Sequence, residues 1–188
     1  MMAADIRTTA SERSTAIRIL DGVDRLIGLL CKSVVMTTGV ALLCAIIIGV
    51  IARYVIDVGG VDWAEELPKQ LYSWFIMAGV VLALQHGNHI AVDLIYNFLP
   101  SPAKRVLVTL TNLLICGAYM YLFRTAVEVA GIAAAETNPM LGTPNSLPFY
   151  ALACGSLLTA IGALSISIRV FLCGAEARPQ GNAEESVV

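Results

Sequence analysis

The chain has 188 residues, of which 57% are hydrophobic and 14% charged, with a formal net charge of −2 and a mean hydropathy of +0.77. Soluble domains usually carry about 25% charged residues, so this composition argues against a water-soluble globule, and the high hydrophobicity excludes an intrinsically disordered chain. A nucleic-acid-binding protein is also disfavoured, because the acidic balance offers no basic surface to phosphates.

Residues 1–32 are predicted to form a cytoplasmic N-terminal segment that contains an amphipathic helix. Over residues 14–32, apolar side chains recur at helical spacing and charged side chains occupy the opposite face. This pattern is typical of a helix lying in the membrane interface, and it also fits a helical extension of the span that follows. The apolar positions are Ile17, Leu20, Ile27 and Leu30, and the charged ones are Arg18, Asp21 and Arg25.

Four long stretches without charged residues predict four transmembrane helices. A bilayer core about 30 Å thick requires roughly 20 apolar residues in helical form, and all four stretches meet or approach that length. The predicted spans are residues 33–53, 66–86, 105–125 and 148–168. The sequence thus predicts an all-α membrane protein with a four-helix domain over 33–173 and a cytoplasmic tail over 174–188.

The distribution of lysine and arginine predicts the orientation. Five basic residues precede the first span, Lys104 and Arg105 lie in the second loop, and Arg169 begins the tail, whereas residues 125–168 contain no basic residue. The positive-inside rule then places both termini and the second loop in the cytoplasm.

The second span begins with an acidic motif beside a tryptophan. Asp62 suits the N-cap, and Glu65 stands at the capping-box position. Trp63 is a suitable anchor at the outer headgroup level. Because Glu66 has no local role in this interpretation, we predict that the motif docks a basic group of a partner. Capping alone is the alternative.

A second polar motif follows the same span. Gly87 and the residue after it favour a turn, and Asp93 follows His89 at i+4, a spacing at which the two side chains can pair. A short in-plane cytoplasmic helix is predicted from Ile90 to Leu99. The motif either docks a partner or only forms the turn.

Catalytic chemistry is not indicated. The only histidines are His86 and His89, too few for a histidine metal site or a bis-histidine haem, and no nucleophile, phosphate-binding or dinucleotide motif occurs. No enzyme, cofactor or metal site is predicted. A stand-alone carrier is also disfavoured, because carriers usually keep ionisable groups deep in the bilayer and the centres of these spans have none.

Small residues four apart mark one face of the fourth span. Such stripes permit close helix packing in membranes, so we predict a tight helix contact there. The stripe consists of Ala151, Gly155, Thr159 and Ala163.

Several motifs resemble the small membrane subunit of tripartite ATP-independent periplasmic (TRAP) transporters, the DctQ family. The likeness extends from about Leu26 to Phe171. It is carried by Trp63-Ala64-Glu65-Glu66-Leu67, then Gly79, then Gly87-Asn88-His89-Ile90-Ala91-Val92-Asp93, and finally Ser146-Leu147-Pro148 with Ala151 and Gly155.

This resemblance implies a multi-pass inner-membrane scaffold subunit that assists sodium-driven uptake of a carboxylate-containing solute. The implied partners are a large, DctM-like permease subunit, a periplasmic, DctP-like solute-binding protein and membrane lipids. The small subunit of a tripartite tricarboxylate transporter would have the same helix count and role, and a small membrane enzyme is a further alternative. A small multidrug carrier would require a glutamate in the first span, which is missing.

Overall fold

The computed structural model describes residues 2–56, 63–86 and 101–173. These residues form four α-helices, α1 (Met2–Ile51), α2 (Trp63–Gln85), α3 (Ser101–Ala133) and α4 (Leu147–Cys173), and a π-helical turn (Ala52–Ile56) follows α1. Four stretches are long and apolar enough to cross a membrane: Leu20–Tyr54, Trp63–Gln85, Val106–Ala133 and Leu147–Phe171. The predicted all-α fold with four spans is thus confirmed.

The first helix is longer than the predicted span. It is continuous from Met2 to Ile51, so the predicted amphipathic segment is a helical extension of the span rather than a separate helix. At 1.5 Å per residue, its 50 residues measure about 75 Å, well beyond a bilayer core. The chain has no proline before Pro68, so no residue in this region forces the helix to end.

The third helix also passes its predicted end at residue 125. It continues to Ala133 and carries the exposed pair Arg124 and Glu128, whose Nε and Oε1 atoms lie 3.3 Å apart. An ion pair at i, i+4 spacing is compatible with a helix that leaves the apolar layer. The predicted in-plane helix and the tail over 174–188 lie outside the described residues.

The helices lie in the spatial order α1, α2, α4, α3, and α1 also touches α4. In the most apolar stretch of α4, 56% of the residues are buried, against 6% in α1. One apolar cluster joins α1 to α2 through Ile27 and Val81, and a second joins α2, α3 and α4 through Leu84, Val108 and Ala163. The fourth helix is therefore the centre of the bundle, and α1 leaves most of its apolar surface to lipid or to another protein.

Candidate functional site

The bundle has two polar ends. At the loop end, defined as the end where α2 and α4 begin, residues 134–146 form a compact turn. Asn138 organises this turn: its backbone N–H donates to the Thr143 carbonyl (2.9 Å), and its Oδ1 accepts from the Met140 N–H (2.9 Å). Gly142 adopts φ +64°, a left-handed conformation that glycine tolerates without strain. Asparagine and glycine thus close the loop through local chemistry.

The closed loop is fastened to the start of α2 by two side-chain contacts. Oε2 of Glu66 accepts a hydrogen bond from Asn138 Nδ2 (3.0 Å), while its Oε1 pairs with Lys69 Nζ (2.5 Å). Gln70 Nε2 donates to Thr143 Oγ1 (2.8 Å). The premise that Glu66 lacks a local role is therefore wrong, because its side chain holds the 134–146 loop against α2.

Trp63 and Glu65 remain at the surface of the loop end. The Trp63 residue is 39% exposed. Glu65 Oε1 lies 3.8 Å from Arg53 Nη1, and both side chains are more than 60% exposed. Exposed ion pairs of this kind contribute only about 0–1 kcal/mol. Of the acidic motif, Glu65 is the carboxylate that stays accessible to another molecule.

The two carboxylates should respond differently to charge reversal. We expect Glu66→Lys to remove the Asn138 contact and place two ammonium groups together, a loss of about 2 kcal/mol for a hydrogen bond to a charged group. Amide hydrogen exchange within residues 134–146 should then become at least about tenfold faster. Glu65→Lys is the matched control and should leave these amides unchanged. Equal exchange in both variants would show that Glu66 does not hold the loop.

The other end of the bundle, the tail end, is where α2 and α4 end. The residues after His86 are not described, so Gly87, His89 and Asp93 lie outside the described residues and their pairing stays a prediction. His86 itself is exposed, and its Nδ1 lies 2.7 Å from the carbonyl of Leu82. No group of His, Cys, Asp or Glu arranged to hold a metal ion occurs within residues 2–56, 63–86 and 101–173.

The tail end contains an ion cluster that the sequence analysis missed. Arg169 on α4 pairs with two carboxylates of α1, through Nη1 to Asp21 Oδ1 (2.5 Å) and Nη2 to Asp24 Oδ2 (2.6 Å). Ser165 Oγ donates to the same Asp24 oxygen (2.9 Å), and Gln85 Nε2 of α2 donates to the Asp24 carbonyl (3.0 Å). We name these five residues the tail-end cluster. It joins three helices at one level.

The small-residue stripe of α4 lies inside the subunit. Ala151, Thr159 and Ala163 are at most 1% exposed, and Gly155 is buried. A Cβ added at Gly155 would lie 2.5 Å from Met77 Cβ and 2.8 Å from Met77 Cε. The structure thus places Gly155 where α4 approaches α2 most closely, at a position with no room for a side chain.

Comparison with known proteins identifies the family. The model of the family described as tripartite ATP-independent periplasmic transporters, DctQ component, matches residues 42–173. The chain belongs to the DctQ family. The match covers the four spans except for the first part of α1, and with the four apolar helices it supports a multi-pass inner-membrane protein.

Three relatives were compared with this DctQ chain. The uncharacterized protein y4mM of Sinorhizobium fredii is 41% identical over 143 residues, which cover 76% of this chain but only 26% of that protein. A putative TRAP transporter small permease protein of Haemophilus influenzae is 25% identical over 142 residues, covering 74% of this chain and 84% of the relative. A second one from the same organism is 22% identical over 101 residues, 54% and 61% of the two chains.

Proposed function

We propose that this chain is the small membrane subunit of a TRAP transporter, where it supports a large DctM-like permease that takes up a carboxylate-containing solute with sodium. The DctQ match over residues 42–173 is the observation that carries the proposal. The small permease relatives from Haemophilus influenzae support it. The family match also favours this role over the tricarboxylate system and over a membrane enzyme.

The distribution of charge supports a scaffold rather than a carrier. In α2 the charged residues all lie between Glu65 and Lys69, in its first two turns, and the only charged residue of α4 is Arg169 near its end. A substrate or ion pathway usually requires polar or ionisable groups deep in the membrane. The interior of the bundle is instead filled by small and aliphatic side chains, so the substrate site belongs to the larger partner.

Both termini and the second loop face the cytoplasm in this proposal. The excess of basic residues before the first span and near Lys104 supports this orientation. Cysteine labelling in intact cells, on a background without the five native cysteines, tests it. Lys104→Cys should be protected from an impermeant thiol reagent added outside, and rapid labelling would reverse the orientation.

We further propose that Trp63 and Glu65 contact a partner at the loop end, and that Gly87, His89 and Asp93 do so at the opposite surface. The exposure of Trp63 and Glu65 supports the first contact. Glu66 acts there indirectly, by holding the 134–146 loop in place.

Coexpression with the large permease tests this function. The two subunits should elute together from an affinity column that binds only the permease. Glu65→Lys should lower the amount recovered, whereas Glu128→Lys, an equally exposed carboxylate, should not. A wild-type chain that never elutes with the permease would contradict the scaffold role.

A further inference from the structure

A cavity of about 320 Å³ opens beside the tail-end cluster. Its polar lining comes from α1, α2 and α4 through Asp21, Asp24, Arg25, Gln85 and Arg169, and its apolar floor from Gly162 and Ile166. A single buried water needs only roughly 15 Å³, so the space is large enough for a small polar group.

The cavity lies at the level where the apolar helices end. Gln85 is the last residue of α2, Asp21 directly follows the start of the apolar stretch of α1 at Leu20, and Arg169 is two residues from its end in α4 at Phe171. The ends of apolar spans mark the boundary between the hydrocarbon core and the lipid headgroups. The cavity therefore opens at headgroup depth.

Two buried polar atoms in the cluster are unsatisfied. Asp24 Oδ1 and Arg169 Nε have no hydrogen-bond partner among the described residues. A buried donor or acceptor that lacks a partner costs free energy, and here one atom requires a donor while the other requires an acceptor. A ligand that carries both kinds of group would satisfy the pair.

The charge of the lining narrows the class of ligand. Two carboxylates, Asp21 and Asp24, face two guanidinium groups, Arg25 and Arg169, so the formal charges cancel. An anion alone would meet both carboxylates, and a cation alone would meet both guanidinium groups. A zwitterion can place its cationic group near Asp24 Oδ1 and its anionic group between Arg25 and Arg169.

We propose that this cavity binds the headgroup of a zwitterionic phospholipid with a primary ammonium group, as in phosphatidylethanolamine. The ammonium donates to Asp24 Oδ1 and to Asp21, and the phosphate accepts from Arg169 Nε and Arg25. Phosphatidylcholine has the same charges, but its quaternary ammonium has no N–H to donate. This inference rests on the membrane location of the helices and is independent of the transport role.

Native mass spectrometry of the delipidated full chain tests the proposal. The chain is offered equal amounts of phosphatidylethanolamine, phosphatidylcholine and phosphatidylglycerol with identical acyl chains. We expect phosphatidylethanolamine to bind about tenfold better than either competitor, the ratio expected for one hydrogen bond between charged groups. Equal binding of the three lipids, or preference for phosphatidylglycerol, would overturn the assignment. Water-soluble phosphoethanolamine should not compete at equal concentration, and full competition would overturn a lipid as the source.

Variants of two arginines on α1 localise the binding. Arg25→Gln should weaken phosphatidylethanolamine binding about tenfold. Arg18→Gln is the matched control, because Arg18 is an exposed residue of the same helix outside the cavity lining, and it should leave binding unchanged. Asp21→Asn should remove the preference over phosphatidylcholine and is less disruptive than a change at Asp24, which also holds Ser165. Equal effects of the two arginine variants would overturn the site.

Discussion

Replacing Arg169 with leucine should destabilise the folded chain by about 3 kcal/mol, because it leaves Asp24 without its countercharge. Asp24 keeps only the Ser165 hydroxyl as a donor to Oδ2, while its side chain stays 24% exposed. Breaking a buried ion pair by removing one partner costs about 3–5 kcal/mol. The lower value applies here because both side chains retain some contact with the exterior.

The measurement is thermal unfolding of the full chain in detergent, followed by tryptophan fluorescence. Arg124→Leu is the matched control, because the side chains of its ion pair with Glu128 are 81% and 65% exposed, and it should change stability by less than about 0.5 kcal/mol. Adding Asp24→Leu to Arg169→Leu should restore part of the loss, since removing both partners leaves no unpaired charge. Equal unfolding of Arg169→Leu and Arg124→Leu would show that the cluster does not hold α1 to α4.

Gly155→Leu should separate α4 from α2 and cost about 3 kcal/mol, the upper part of the usual range for overpacking a core. The reason is steric, because even a Cβ at this position would approach Met77 Cβ within 2.5 Å. Since α4 is the centre of the bundle, we also expect less of this variant to elute with the large permease.

Gly117→Leu controls for the added side chain itself. A Cβ at Gly117 on α3 would meet no atom within 4 Å, and replacing a helical glycine removes a propensity penalty of about 1 kcal/mol. This variant should therefore unfold at or slightly above the wild-type temperature. Wild-type stability and copurification of Gly155→Leu would mean that the small-residue stripe is incidental to packing.

The four spans could be predicted because a bilayer imposes a length and an absence of charge that a single sequence displays directly. The ends of the helices were harder to predict. The charged residues of the segment from 14 to 32 suggested an interfacial helix, yet periodicity does not show whether one helix ends and another begins. The absence of proline before Pro68 was the available signal that α1 continues.

The polar contacts between helices could not be predicted from the sequence. Asp21 and its arginine neighbours were interpreted as pairs along one helix, and Arg169 as the start of a tail, whereas the structure pairs Asp24 with Arg169 across 145 positions of the chain. Glu66 likewise finds Asn138 at a separation of 72. Local spacing reveals i, i+4 neighbours, but it contains no information on which helix lies opposite.

Uptake in liposomes tests most directly whether this chain is a supporting subunit. The wild-type chain is reconstituted alone, with the large permease, and with the permease and the solute-binding protein, and uptake of labelled solute is followed with and without a sodium gradient. The account predicts no uptake by the chain alone, and sodium-dependent uptake by the complete system that is lost when this chain is omitted. Sodium-dependent uptake by the small subunit alone would contradict it, and so would full activity of the permease and binding protein without this chain.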